Sequence, residues 1–292
     1  MADLTLGQHP LLKKAFLDAR FKHLTEKRFI ADSLFMKVSA DALVVKYFKD
    51  ADVDSQGRYN YEEVPEVGEG SSYKRIGLSE VAKIEMIRKY GLEAAVSYEM
   101  QKWGQTGVFE RIFLKLSNSV VAMVNTMAYD KIHSEPNIGG RTKTGAAGDE
   151  TWDNATLGAD KMISDIIDAK ASAKKFGYSL DTMVISTETE ALFLKNKGIR
   201  DALRENNTDI ALLNGYIGNF LGLDVIVDEN YSDDQVLMLQ RGILGDIADA
   251  EPLKSHTYNQ EEDSTTILRV SRFTTAYVTD PKAVYLLKNI KA

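Results

Sequence analysis

The chain has 292 residues, 44% hydrophobic and 27% charged, with five prolines, 20 glycines, no cysteine and a formal net charge of −7. This is the balance of an ordinary globular protein, long enough for one large domain or two moderate ones. Disulfides, thiolate metal sites and a cysteine nucleophile are excluded, the acidic balance argues against a surface that wraps nucleic acid throughout, and no stretch nears the roughly 18 apolar residues of a membrane span.

The N-terminus, MADLTLGQHPLLKKAF, lacks the uninterrupted apolar run of a signal peptide. The expectation is a soluble chain made and used in a cytoplasm. Residues 9–30 read as an amphipathic helix followed by an arm, with Leu12, Phe16 and Ala19 at helical spacing. Between Leu11 and Arg28 stand six basic residues (Lys13, Lys14, Arg20, Lys22, Lys27, Arg28) against Asp18 and Glu26. That is a solvated face, or an arm that touches something acidic.

The stretch DVDSQGRYNYEE, Asp52 to Glu63, has calcium-loop spacing. Asp52, Asp54, Gly57 and Glu63 fall at the first, third, sixth and twelfth places. A calcium loop needs a helix on each side. Here ALVVKYFKDADV is β-rich, DSQG signals a turn, and RYNYEEV alternates, which is a hairpin pattern. Pro65 disfavours a helix running on from Glu63, and Gln56 offers only a neutral amide at the fifth place. The hairpin is preferred, with the calcium loop as the alternative.

Beyond it, YEEVPEVGEGSSYKRIG carries Glu62, Glu63, Glu66 and Glu69, then Tyr73, Lys74 and Arg75. LSEVAKIEMIRKYGLEAAVS returns with partial alternation. This predicts a long two-stranded excursion with an acidic arm and a basic shoulder. Such a ribbon has little core of its own and needs a neighbour to lie on, unless it is a plain surface loop.

Residues 106–134 predict one long helix of roughly 40 Å at 1.5 Å per residue. Phe109, Ile112, Phe113, Leu116, Val120, Val124 and Met127 recur at three- and four-residue spacing. SEPNIGGRTKTGAAGDE then reads as a loop. From Asp153 the pattern is α/β: a helix capped by Asp153 or Asn154 and stopped by Gly177, then a buried strand Thr182–Ser186. TETE is a capping box with Thr187 at the cap and Glu190 three residues on. Short helices through Ala191–Leu194 and Ile199–Glu205 follow. LGLDVIVDENY and DQVLMLQRG supply strands, and TTILRVSRFTTAYVTDPKAVYLL supplies more around a turn at Asp280–Pro281.

No catalytic constellation stands out, and no cofactor is implied. His9, His23, His133 and His256 are scattered without metal-ligand spacing. There is no phosphate-binding glycine loop, no dinucleotide fingerprint and no nucleophile elbow. GYIGNFLG suits packing better than phosphate.

In order, the features resemble a tailed-phage major capsid protein of the Hong Kong ninety-seven type, from about Tyr59 to Leu287. Four pieces carry the resemblance: the ribbon with its return into Val96, Ser97 and Glu99; the long helix; MVISTETEALFLKNKGIRDAL with GYIGNFLGLDVIVDEN; and RVSRFTTAYVTDPKAVYLL. The resemblance implies an α+β capsid fold in five parts: an N-terminal arm (1–50), an extended β-ribbon loop (51–95), a spine helix with peripheral domain (96–150), an axial domain (151–250) and peripheral C-terminal strands (251–292).

It also implies a structural, non-enzymatic function. Copies would form pentamers and hexamers of an icosahedral shell around double-stranded DNA, assembled in the host cytoplasm. The loop residues Glu62, Glu66, Glu69, Tyr73, Lys74 and Arg75 would lie over a neighbouring subunit. Phe109, Ile112, Phe113, Leu116 and Val120 would pack the spine. Lys13, Lys14, Arg20 and Lys22 would form an inward-facing basic arm in weak, non-specific contact with packaged DNA. Portal, scaffolding and decoration proteins are the expected further partners, with the scaffold a separate protein because little room precedes the spine. Lys74 has no identifiable partner for a covalent crosslink. The alternatives are an encapsulin-type nanocompartment shell protein, a calcium-binding protein using residues 52–63, and a motif-free α/β enzyme.

Overall fold

The computed structural model describes residues 14–25, 28–50, 64–75, 80–103, 106–154, 156–196, 199 and 218–291. The helices are α1 (Lys14–Thr25), α2 (Ala31–Leu34), α3 (Tyr98–Trp103), α4 (Thr106–His133), α5 (Gly158–Lys175) and α6 (Thr187–Lys195). The strands are β1 (Met36–Ser39), β2 (Val44–Asp50), β3 (Glu80–Met86), β4 (Arg88–Ser97), β5 (Gly139–Thr142), β6 (Thr182–Ile185), β7 (Asn219–Phe220), β8 (Leu223–Val227), β9 (Gln235–Leu239), β10 (Gly245–Gln260), β11 (Thr265–Val278) and β12 (Val284–Lys288). Two compact units result. The first draws on Met1–Val45, Ile84–Lys131 and Asp246–Tyr277, the second on Lys46–Lys83, Ile132–Gly245 and Val278–Ala292.

The first unit has a four-stranded sheet in the order β1-β10-β11-β4. β11 runs antiparallel to β4, from Thr265 opposite Ser97 to Thr274 opposite Arg88. β1 runs parallel to β10, from Met36 opposite Asp246 to Ser39 opposite Asp249. The N-terminal segment therefore contributes a strand to a sheet, beyond the arm expected of it. The predicted stripe of α4 is buried at Phe109, Phe113, Leu116, Val120 and Val124, while Ile112 and Met127 are half-buried. Val121, Ala128 and Tyr129 are buried too, so the covered face is wider than the stripe.

The α1 stripe differs from expectation. Phe16 is 38% exposed and Ala19 is exposed, whereas Leu17 and Phe21 are buried; Leu12 lies outside the described residues. The face that turns inward is the one that sets Phe21 edge-on to Phe113, 5.8 Å between ring centroids. The buried Asn125 joins the turn after α1 to α4. Its amide accepts the Ala31 N–H at 3.2 Å and donates to the Arg28 carbonyl at 3.2 Å.

The second unit is built on a six-stranded sheet in the order β5-β12-β9-β6-β8-β7. Alternate residues of four strands, Met183 and Ile185, Leu223 and Val225, Val236 and Met238, Tyr285 and Leu287, join one core with Met162, Ile166 and Ala169 of α5. Val184, Leu237, Leu239 and Leu286 on the intervening positions are buried as well. A sheet covered on both faces explains the unbroken apolar runs TMVI and VLML. Trp152, Phe193 and Phe220 stack edge to face in a row, with centroids 5.6 and 5.4 Å apart. Beneath Trp152, Lys143 and Asp165 form a fully buried ion pair, and the indole N–H donates to Asp165 at 2.8 Å.

Several boundaries depart from the sequence reading for local reasons. β5 sits inside the stretch expected to be a loop. Its Gly139 and Gly140 give no side-chain pattern, yet Gly140 must stay bare, because a Cβ there would stand 2.6 Å from the Leu286 carbonyl. α5 starts at Gly158 without a side-chain cap. Asn154 instead accepts the N–H groups of Thr156 and Leu157 at 3.0 Å, one turn early. The helix does stop at Gly177, whose φ of 85° allows Tyr178 N–H to reach the Ala173 carbonyl at 3.1 Å. The cap of α6 is Ser186, accepting from the Thr189 N–H at 3.2 Å, so the Thr187–Glu190 box is one residue out of register. The segment 251–292, expected to supply strands to one peripheral domain, divides. β11 belongs to the first unit and β12 to the second.

Candidate assembly surfaces

Among the described residues, the ribbon leaves most of its side chains exposed. β2 and β3 pair as a separate two-stranded sheet. Between them, residues 64–75 carry no regular structure beyond a turn at Glu69–Gly70, closed by Ser71 N–H to the Gly68 carbonyl at 3.0 Å. Not one side chain of 64–75 is buried. Glu66, Glu69, Tyr73, Lys74 and Arg75 are all exposed, Tyr73 by 81%, and Val64 by 91%. Glu62 lies outside the described residues.

Strand alternation makes the exposure directional. On β2, Val44 and Phe48 point outward; on β3, Ile84 and Met86 do so at 68% and 62% exposure. The interleaved positions are anchored. Lys49 pairs with Glu135 just beyond α4, both nearly buried, and Glu85 pairs with Lys131 of α4. Each strand is thus held on one face and presents uncovered apolar side chains on the other. Exposed apolar side chains on one face of a strand are the kind that serve an interaction surface. Neither anchor pair stood out in the sequence, because its members are 86 and 46 residues apart. The Val44/Phe48 alternation was the signal available.

Of the basic N-terminal residues, Lys14, Arg20 and Lys22 fall within α1. Lys13 lies outside the described residues, and Lys14 opens α1. Arg20 is bound to Glu110 of α4 at 2.6 Å. Lys22 is exposed and borders a groove of about 630 Å³ in the first unit. Arg272, 3% exposed, lines it as well, and no sequence pattern marks this residue. Its guanidinium donates to both oxygens of Asp249, at 3.0 and 2.8 Å, and to Asp32 at 2.9 Å. Burial alone would lower its pKa, but Asp249 and Asp32 more than offset this and hold it raised. Its plane sits 5.1 Å over the Phe29 ring.

Other perturbed groups are structural. Burial drives the Tyr231 hydroxyl well above its usual pKa, beside His133 at 3.4 Å. The Glu150 carboxyl is held down to about 2, first by the Gly148 N–H, then by its own N–H and by Lys161. Among the described residues no group of three or more His, Cys, Asp or Glu could hold a metal ion. Asp52, Asp54 and Glu63, the calcium alternative, lie outside the described residues.

The sequence profile of a family described as phage capsid protein matches residues 80–287. No curated protein matches the chain. Among solved structures, a virus-like particle protein from Pyrococcus furiosus aligns at 14% identity and TM-score 0.62, covering 93% of this chain and 98% of that one. A phage-related protein from Bordetella bronchiseptica aligns at 13% and 0.63, covering 94% and 97%. The capsid of the cyanophage P-SCSP1u aligns at 9% and 0.62, covering 88% and 86%. At such identities these structures speak to the fold.

Proposed function

The chain belongs to the family of phage capsid proteins and has the Hong Kong ninety-seven type of fold, and from that premise we propose how it works as a shell subunit. Copies associate into pentamers and hexamers, and these close into an icosahedral shell around double-stranded DNA. The observation that carries this reading is the ribbon, which is anchored on one face, apolar and uncovered on the other, and has no buried side chain from 64 to 75.

A two-stranded ribbon of this kind is marginal alone and gains its stability by lying on something else. In this reading the surface that receives the ribbon differs from the ribbon itself. Such a contact is head-to-tail, and head-to-tail contacts that close make rings. Glu66, Glu69, Tyr73, Lys74 and Arg75 are the contact residues on the projecting side. Phe109, Phe113, Leu116 and Val120 act differently: they are spent inside the subunit and keep α4 a stiff bar. The net charge of −7 suits a wall that touches packaged DNA weakly. Assembly in the host cytoplasm with a separate scaffolding protein, a portal and a decoration protein completes the proposal.

Negative-stain electron microscopy of the chain expressed alone, and then with its genomic neighbours, tests it. Closed shells or five- and six-membered rings are expected, and nucleic acid inside separates a genome container from a cargo compartment. A dispersed monomer under both conditions would overturn the assembly reading.

A further inference from the structure

We propose that the groove beside Arg272 receives the Val64–Tyr73 segment of a second copy of this chain. The inference rests on the assembly reading above and names the surface that takes the ribbon.

The groove lies wholly within the first unit, between α1 and β10. Phe21, Phe29 and Leu253 give it an apolar lining, and Lys22, Lys37 and Lys254 stand around it. Its acidic residues are engaged internally. Asp18 accepts from the Ser255 N–H at 3.2 Å and from its hydroxyl at 2.5 Å, and Asp249 and Asp32 hold Arg272. The lysines are freer. Lys37 is 61% exposed while touching Asp32 at 3.0 Å, and Lys254 reaches Glu251 only at 3.6 Å. Lys22 has no ion pair among the described residues. What the groove offers is cationic ammonium groups above an apolar, aromatic lining.

The ribbon segment has the complementary chemistry. Val64, Val67 and Tyr73 are apolar anchors on a stretch without regular structure, and Glu66 and Glu69 are exposed between them. The segment contains no basic residue; Lys74 and Arg75 come directly after it. Irregular chain that buries a few apolar side chains and aims the carboxylates between them at lysines suits an open groove. Opposite charges on the two sides also set register and discourage other pairings.

The test uses the full chain carrying Glu66→Lys and Glu69→Lys, which leaves the groove free of a neighbour's ribbon. A fluorescent peptide of residues 64–73 is titrated against it and followed by anisotropy. Saturable binding is expected, weakened at least tenfold when Lys22→Glu and Lys254→Glu are added to the chain. The same loss is expected when the peptide carries the two glutamate-to-lysine changes, and rising salt should weaken binding because the charges are exposed. The peptide variant keeps the test decisive if the altered groove folds poorly. Absence of saturable binding, or equal affinity for native and reversed peptide, would overturn the proposal. Closed shells of the unaltered chain without peptide binding would remove this inference alone; peptide binding without shells would remove only the assembly reading.

Discussion

The ribbon and the six-stranded sheet are made from similar residues and treat them oppositely. In the sheet, Met183, Ile185, Val236, Met238 and Leu287 are buried along with the residues between them. In the ribbon, Phe48, Ile84 and Met86 are no less apolar, yet each is more than half exposed. The sheet finishes its packing within the subunit, whereas the ribbon has one finished face and one unfinished. Local hydrophobicity thus does not say where a core is. It says where burial is to be had, within one copy or between two.

Substitutions can break or sharpen this contrast, and on subunit stability they should rank by how finished the site is. Phe193→Ala empties the centre of the Trp152–Phe193–Phe220 row. A loss of about 3–5 kcal/mol is expected in denaturant melts. Asp165→Ala leaves the fully buried Lys143 ammonium and the Trp152 N–H without their acceptor. A loss of about 3–5 kcal/mol is expected here too, and Lys143→Met added to it should recover part. Ser186→Ala removes the α6 cap and should cost about 1 kcal/mol.

Glu150 gives a pH signature. Its pKa is depressed from 4.5 to about 2, so its stabilisation is present above the ordinary carboxylate value and is lost as pH falls through about 2. Thermal melts between pH 4.5 and 2 should show a shallower loss of stability for Glu150→Gln than for the unaltered chain. At the bottom of the ranking, Glu66→Lys with Glu69→Lys should leave subunit stability within about 0.5 kcal/mol and yet abolish shells in sedimentation. Normal shells from that variant would break the contrast.

The same contrast explains what could be read in advance. The α4 stripe was legible because Phe109, Phe113, Leu116, Val120 and Val124 repeat along one face over many turns. β6 was legible because a run as apolar as TMVI is buried on both sides. β5 was hidden, since Gly139 and Gly140 carry no side chain to make a pattern. β10 was hidden by Pro252 and by the charges of residues 246–254, which belong to a strand reaching out of the core. The α1 face was not legible because spacing alone cannot choose between Phe16 and Phe21; both rings lie beside Phe113, at 6.5 and 5.8 Å, and only Phe21 is buried. The groove is the extreme case. Its walls come from residues 18–37 and 249–272, and Arg272 gains its meaning only when Asp32 and Asp249 converge on it. The ribbon was recognised from its glutamates and glycines, while its apolar outer face needed the strand pairing to be seen.

Hydrogen exchange, compared between dispersed subunits and assembled shells, tests most directly whether the ribbon is completed by another copy. Peptides covering 44–50, 64–75 and 80–86 should exchange fast in the subunit and gain strong protection in the shell. Peptides covering β6 and β9 should be equally protected in both. A ribbon that exchanges as fast in closed shells as in free subunits would contradict the account.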